Sequence, residues 1–180
     1  RMHSADDALQ AVSLARAAGF DNLNLDLMFA LPRQTLETLS SDVKGLLALE
    51  PEHLSLYGLS FEPGTSLHSR ICAGDLHAPE EDFYADSYLL IDRLLTTAGF
   101  EHYEISNFAL NPRWRSKHNQ KYWNFVPYIG LGPSAHSFSP PERWWNHRHL
   151  DDYLSMIAQG RSPRAENEQL SEEQQMMESI

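Results

Sequence analysis

The chain has 180 residues, 42% of them hydrophobic, which is enough for a real core and argues against disorder. Its net charge of −11 excludes a duplex nucleic-acid binder, which needs a surplus of Lys and Arg to meet phosphates. The single cysteine, Cys72, excludes an internal disulfide framework and any zinc or iron–sulfur site built only from this chain's thiolates, and no apolar run is long enough to span a bilayer.

Ser4 is a good N-cap, with Asp6 and Asp7 where the helix dipole favours acid and Ala8, Leu9, Val12 and Ala15 following at helical spacing. Gly19 closes this helix. Residues 22–28, NLNLDLM, alternate strictly between Leu and Asn, Asp or Met, the pattern of a strand with two unlike faces. Thr35 caps a helix with Leu36, Leu39, Val43, Leu46 and Leu47 on one side, and EPEHLSLYGLS (50–60) reads as a strand. Pro79 opens a helix whose core side is Phe83, Leu90, Ile91, Leu94 and Leu95; Gly99 ends it, and EHYEISNF (101–108) reads as a third strand.

Helix and strand thus alternate three times, and the similar junctions AAGFDN and TAGFEH suggest a repeated α/β unit. A parallel sheet covered by helices is expected, either a barrel or an open doubly wound sheet. The leucine face of 22–28 should pack on those helices. Its Asn/Asn/Asp face must then look to the sheet's other side, where each unpaired buried polar group costs about 1–3 kcal/mol. The strand alone leaves open whether a ligand or mutual hydrogen bonding satisfies these groups.

After residue 110 the sequence becomes aromatic and rich in Pro and Gly; a helix returns near Leu150–Gln159, 160–169 reads as a linker, and 170–180 opens another helix at Ser171. The start at Arg1 and the stop within that last helix suggest a fragment.

Five ordered segments carry a resemblance: NLDLMFALPRQT (24–35), PEHLSLYGLSFEPGT (51–65), YEISNFA (103–109), HNQKYW (118–123) and GLGPSAHSF (130–138). Together they resemble the radical S-adenosylmethionine proteins related to oxygen-independent coproporphyrinogen III oxidase, closest to the HemW-type haem chaperones. The resemblance implies an α/β fold: the C-terminal part of a partial TIM-type (β/α)6 barrel over 1–110, an aromatic and Gly-rich segment with a helix packing on it over 111–160, and a linker with the start of a small helical C-terminal domain over 161–180. In this family a [4Fe–4S] cluster on a CxxxCxxC motif cleaves S-adenosylmethionine to methionine and a 5′-deoxyadenosyl radical. That motif is absent here, so the resemblance places the cluster cysteines upstream of Arg1.

The resemblance also assigns roles. Asp26 matches a strand aspartate that contacts S-adenosylmethionine, and Ser60 matches a later strand-end position that touches it through backbone. Ala30 stands where the family usually has Gly, and a left-handed backbone there would be strained. HNQKYW separates the chaperones from the oxidases proper, making His118 a candidate haem-iron ligand and Tyr122 and Trp123 candidates to stack on the porphyrin; the competing reading is that His118 and Asn119 tie down a loop and Trp123 plugs a core. The implied function is a cytoplasmic haem chaperone that hands haem to a membrane acceptor, with S-adenosylmethionine and a [4Fe–4S] cluster in the full-length protein. The alternative is oxidative decarboxylation of coproporphyrinogen III to protoporphyrinogen IX. Among the remaining candidates, His147 and His149 read as surface charge, GLGPSAHS as a tight turn, His136 as a satisfied core histidine, and Trp144 and Trp145 as packing aromatics. Cys72 reads as an inert thiol without a basic or histidine neighbour at suitable spacing.

Overall fold

The computed structural model describes residues 4–178. The chain forms two compact units, one ending at Arg115 and the other beginning at Ser116.

In the first unit the helices begin and end where side-chain chemistry dictates. Helix α1 (Ala5–Ala17) starts with a capping box in which Ser4 and Asp7 exchange hydrogen bonds, and α2 (Leu36–Leu47) starts with the same device between Thr35 and Thr38. A short α3 (Ser66–Cys72) follows the 61–65 loop, and α4 (Glu81–Thr97) carries Ile91 and Leu95 inward. Gly19 and Gly99, just past α1 and α4, have φ near +90°, the left-handed turn that ends a helix and favours a residue without Cβ.

Strands β1 (Asn24–Phe29) and β2 (His53–Gly58) pair in parallel, as the alternation of helix and strand predicts. The third predicted strand is a correction: 101–108 is a hairpin, β3 (Glu101–Glu104) and β4 (Asn107–Ala109), with β4 running antiparallel to both β2 and β3. The four strands lie in the order β1-β2-β4-β3, so the sheet is mixed. The reversal occurs at Ile105–Ser106, where the Glu104 carboxylate accepts from the Ser106 N–H. Among the described residues, β1 is paired on one side only.

One face of the sheet is apolar. Leu54, Leu56, Phe29 and Phe108 pack with Leu39 and Val43 of α2 and Ile91 and Leu95 of α4, with Leu25 and Leu27 at the margin. Helix α1 buries no residue fully. It is tied down through Arg16, which donates to the Glu52 carboxylate at 2.9 Å and to the Glu50 carbonyl at 2.7 Å.

The second unit holds α5 (Lys117–Trp123), α6 (Leu150–Ala158), α7 (Glu172–Glu178) and an antiparallel sheet of β5 (His136–Ser139), β6 (Glu142–Asn146) and β7 (Arg164–Gln169). Strand β7 corrects the linker reading of 160–169. Its side chains are almost all exposed, so no apolar alternation marks it. The ladder to β6 holds it instead, with Arg164 paired to Glu142, Arg143 to Glu168 at 3.0 Å, and Asn167 donating to Glu142 at 3.1 Å. Helix α7 begins at Ser171, which exchanges hydrogen bonds with Gln174 as its position suggested.

Two positions in the first unit carry local cost. Ala30 is fully buried with φ +55°, a backbone state that costs an L-residue about 1–2 kcal/mol. Ala30→Val should lower stability by about 2 kcal/mol or more in urea denaturation, whereas Ala30→Gly, which trades strain relief for a lost methyl and chain entropy, should stay within about 1 kcal/mol of the parent. The Ser87 hydroxyl in α4 is buried with no hydrogen-bond partner among the described residues. Ser87→Ala should therefore raise stability by about 1 kcal/mol in the same assay.

Candidate functional site

The other face of the first unit's sheet is polar. Period-two geometry puts Asn24, Asp26 and Met28 of β1 on it, and the parallel register sets them against His53, Ser55 and Tyr57 of β2. Beyond β2, Asn107 of β4 lies opposite Ser55. Strand β3 adds two consecutive residues to the same face because its register shifts between His102 and Glu104. The extra residue of that bulge is Tyr103, whose hydroxyl reaches His53, while Glu104 comes to lie opposite Asn107.

These groups form one hydrogen-bonded network. His53 Nδ1 lies 2.6 Å from Asn24 Oδ1, His53 Nε2 lies 2.6 Å from the Tyr103 hydroxyl, and Asn24 Nδ2 donates to Asp26 Oδ1 at 2.7 Å. The Ser55 hydroxyl has two acceptors in reach, Asn24 Oδ1 at 3.1 Å and Asn107 Oδ1 at 3.0 Å, and Asn107 Nδ2 donates to the Glu104 carboxylate. His53, Ser55 and Asn107 are buried, Asn24 and Asp26 exposed. Buried members are thus satisfied inward, and the network opens to solvent along β1.

Donor and acceptor roles follow from chemistry. The Asp26 carboxylate only accepts, so Asn24 turns its NH2 toward Asp26 and its oxygen toward His53. His53 therefore carries its proton on Nδ1, and Nε2 accepts from Tyr103. Burial holds the His53 imidazole below its ordinary pKa, with the Asp26 charge pulling the other way, which favours this neutral form. Glu52, at the start of β2, sits below the usual carboxylate range. Its burial acts upward, but the Leu23 N–H and the Arg16 guanidinium together outweigh it.

Asp26 Oδ1 is engaged by Asn24, and Oδ2 has no hydrogen-bond partner among the described residues, so the carboxylate can accept from a ligand hydroxyl or face a cationic group. Ser60 is exposed two residues beyond β2. It stands five residues along from Ser55, the register partner of Asp26, which is up to about 16 Å of extended chain. A ligand touching both must be extended. For an iron–sulfur cluster the fit fails: among the described residues no group of three His, Cys, Asp or Glu could hold a metal ion.

In the second unit, Ser116 caps α5 through the Asn119 N–H, and the helix presents His118, Tyr122 and Trp123, all exposed. His118 Nε2 lies 3.0 Å from the Tyr122 hydroxyl, one helical turn away. Tyr122 and Trp123 line a cavity of about 450 Å³ with Tyr128, His136, Phe138 and Arg143. Burial pushes the Tyr128 hydroxyl up, and the hydrogen bond to Glu178 raises Arg143.

Of the five candidates, the structure sets His118, Tyr122 and Trp123 on one short helix, whereas Asp26 lies on β1 and Ser60 two residues beyond the end of β2. His136 corrects the core-histidine reading: it is exposed at the first position of β5 and stacks on Trp145, while Ser137 and Phe138 are buried. Cys72 is also corrected, since His68, one turn earlier on α3, places Nδ1 3.7 Å from its sulfur. The GLGPSAHS segment is a turn whose Gly130 and Gly132 N–H groups are used by Ser137 and Tyr153, with Gly132 at φ +107°. Sequence reading missed His53, Ser55, Tyr103, Glu104 and Asn107 as members of a site. The available signal was the polar His53 and Ser55 alternating with Leu54 and Leu56.

No protein-family model matches the chain. It is 38% identical over 170 residues to the heme chaperone HemW of Mycobacterium tuberculosis, covering 94% of this chain and 43% of that protein. It is 35% identical over 180 residues to the heme chaperone HemW of Bacillus subtilis, covering all of this chain and 47% of the relative. A mouse relative, radical S-adenosyl methionine domain-containing protein 1, mitochondrial, is 41% identical over 147 residues, 82% of this chain and 33% of its own. The chain thus spans less than half the length of the curated relatives it matches. Among solved structures, coproporphyrinogen III oxidase (HemN) from Escherichia coli aligns with TM-score 0.77 and 21% identity over 99% of this chain and 43% of its own, which shows the fold.

Folding lowers the proton affinity of His53, so the unfolded chain takes up the proton first as pH falls. The stability tied to this residue is present above its unfolded value of about 6.5 and is lost as pH drops through that value toward the folded one. Urea midpoints at pH 7.5 and 5.5 should fall less for His53→Gln than for the parent.

Proposed function

This chain belongs to the radical S-adenosylmethionine family that includes the heme chaperones named HemW, and we propose that the whole protein is a haem chaperone of that kind, binding haem and passing it to an acceptor protein. The observation that carries this reading is identity of 35–38% to heme chaperones, sustained over 170 and 180 residues. The decarboxylase reading has less support, because the likeness to coproporphyrinogen III oxidase, at 21% identity, speaks to fold.

In this proposal S-adenosylmethionine lies along the polar sheet face. Asp26 accepts from it through the carboxylate oxygen that Asn24 leaves open, and Ser60 meets its far end through backbone. When bound with a reduced cluster, the cofactor supplies radical chemistry. The cluster is held by thiolates outside these 180 residues, since Cys72 is the sole cysteine. Haem is met by α5: His118 offers an imidazole to the iron, and Tyr122 and Trp123 offer aromatic surface beside a cavity. No helix among the described residues is long and apolar enough to cross a membrane. In this proposal the carrier is cytoplasmic and its acceptor membrane-bound.

Titration of the intact protein with haem, followed in the Soret band, tests the reading. His118→Ala should weaken binding by about tenfold, equivalent to ~1.4 kcal/mol, and move the band. An unchanged band and affinity would remove His118 as the ligand. Conversion of coproporphyrinogen III to protoporphyrinogen IX by the intact protein would overturn the chaperone reading in favour of the decarboxylase.

A further inference from the structure

The polar face contains a directional chain that no assigned role uses. Reading outward from the β3 bulge, the Tyr103 O–H donates to His53 Nε2, His53 Nδ1–H to Asn24 Oδ1, and the Asn24 NH2 to Asp26 Oδ1, at 2.6, 2.6 and 2.7 Å. Every donor points toward the exposed carboxylate, so the links polarise one another in one sense. The inner end is fixed. Tyr103 sits at the register shift of β3, with the Arg115 guanidinium 5.2 Å from its ring centre, and Arg115 is itself paired to Glu101. The outer end is a surface aspartate that, without Asn24, would be a free rotor.

We propose that Tyr103, His53 and Asn24 form a positioning chain that orients the Asp26 carboxylate for S-adenosylmethionine, with His53 acting through its tautomer and touching no ligand itself; this rests on the reading of Asp26 as a cofactor contact. The logic lies in the asymmetry of Asn24. If His53 carried its proton on Nε2, its bare Nδ1 would draw the Asn24 NH2. The amide oxygen would then face the Asp26 carboxylate, and the two would repel. The acceptor-only Asp26 carboxylate excludes this arrangement, and the Tyr103 hydroxyl, able to donate or accept, completes the chain by donating to the bare Nε2. A tyrosine on β3 thereby satisfies the imidazole that holds an amide on β1, 79 positions earlier in the chain. The single Ser55 proton lies within reach of both Asn24 Oδ1 and Asn107 Oδ1 and links this chain to the buried centre of the network.

The test joins spectroscopy to binding in the intact protein. Nitrogen-15 NMR of the His53 ring before cofactor is added should show the Nδ1–H tautomer, and Asp26→Asn, which lifts the demand for the Asn24 NH2, should shift it to a mixture. S-adenosylmethionine affinity, measured calorimetrically, should fall about fivefold in Tyr103→Phe and more in Asp26→Asn, and Tyr103→Phe should cost nothing further in the Asp26→Asn background. If Tyr103→Phe does not fold, Asn24→Ser cuts the chain one link later and serves the same cycle. An Nε2–H tautomer in the parent, or losses that simply add across the two sites, would overturn the positioning chain while leaving Asp26 as a contact. Unchanged affinity in Asp26→Asn would instead overturn the cofactor reading, and the proposal with it.

Discussion

The first unit depends on one constraint: a sheet with an apolar and a polar face must satisfy every buried polar group on the second without help from the first. His53 is where this is most acute. It is 4% exposed, and both ring nitrogens are engaged, one by β1 and the other by β3. An imidazole buried with either nitrogen unpaired would cost about 1–3 kcal/mol. Its two partners therefore fix more than a rotamer: they fix how β1, β2 and the β3–β4 hairpin register across the polar face. The apolar side makes the complementary demand, since Leu54, Leu56 and Phe108 must meet α2 and α4. A one-residue slip of β2 would put His53 and Ser55 into that core and the leucines into solvent.

Chemistry on the polar face follows from the same constraint. The network is closed at its buried centre and open at its rim, where Asp26 keeps an oxygen available. A carboxylate held this way can read hydroxyls or a cation without paying again to be ordered, the advantage of preorganised sites over loose surface charge. The second unit presents a different kind of surface. Its α5 places a histidine, a tyrosine and a tryptophan on seven residues of helix beside an aromatic cavity, a surface suited to a flat ring.

Much of the fold could be read from the sequence because its signals were local. Ser4, Thr35 and Ser171 announce helix starts, Gly19 and Gly99 announce stops, and Leu23, Leu25 and Leu27 reveal a two-faced strand. What escaped was non-local or masked. The 101–108 hairpin turns without Gly or Pro, and β7 has no apolar alternation because ion pairs and ladder bonds to β6 hold it. The His53–Tyr103 contact joins residues 50 apart and needs a bulge that no composition signals. His136 was misread because it stands at the exposed end of a four-residue strand whose two middle residues alone are buried. The His68–Cys72 pair, by contrast, was in plain view at helical spacing. At the site, Asp26 came from family resemblance and strand phase together, while the residues that hold it needed the folded register.

The most direct measurement is a crystal structure of the intact protein with S-adenosylmethionine bound. The expected result is a cofactor polar group within hydrogen-bond distance of Asp26 Oδ2, with Asn24 still donating to Oδ1. A cofactor seated elsewhere, with Asp26 bonded to Asn24 and solvent alone, would contradict the assignment of the polar face as the binding surface.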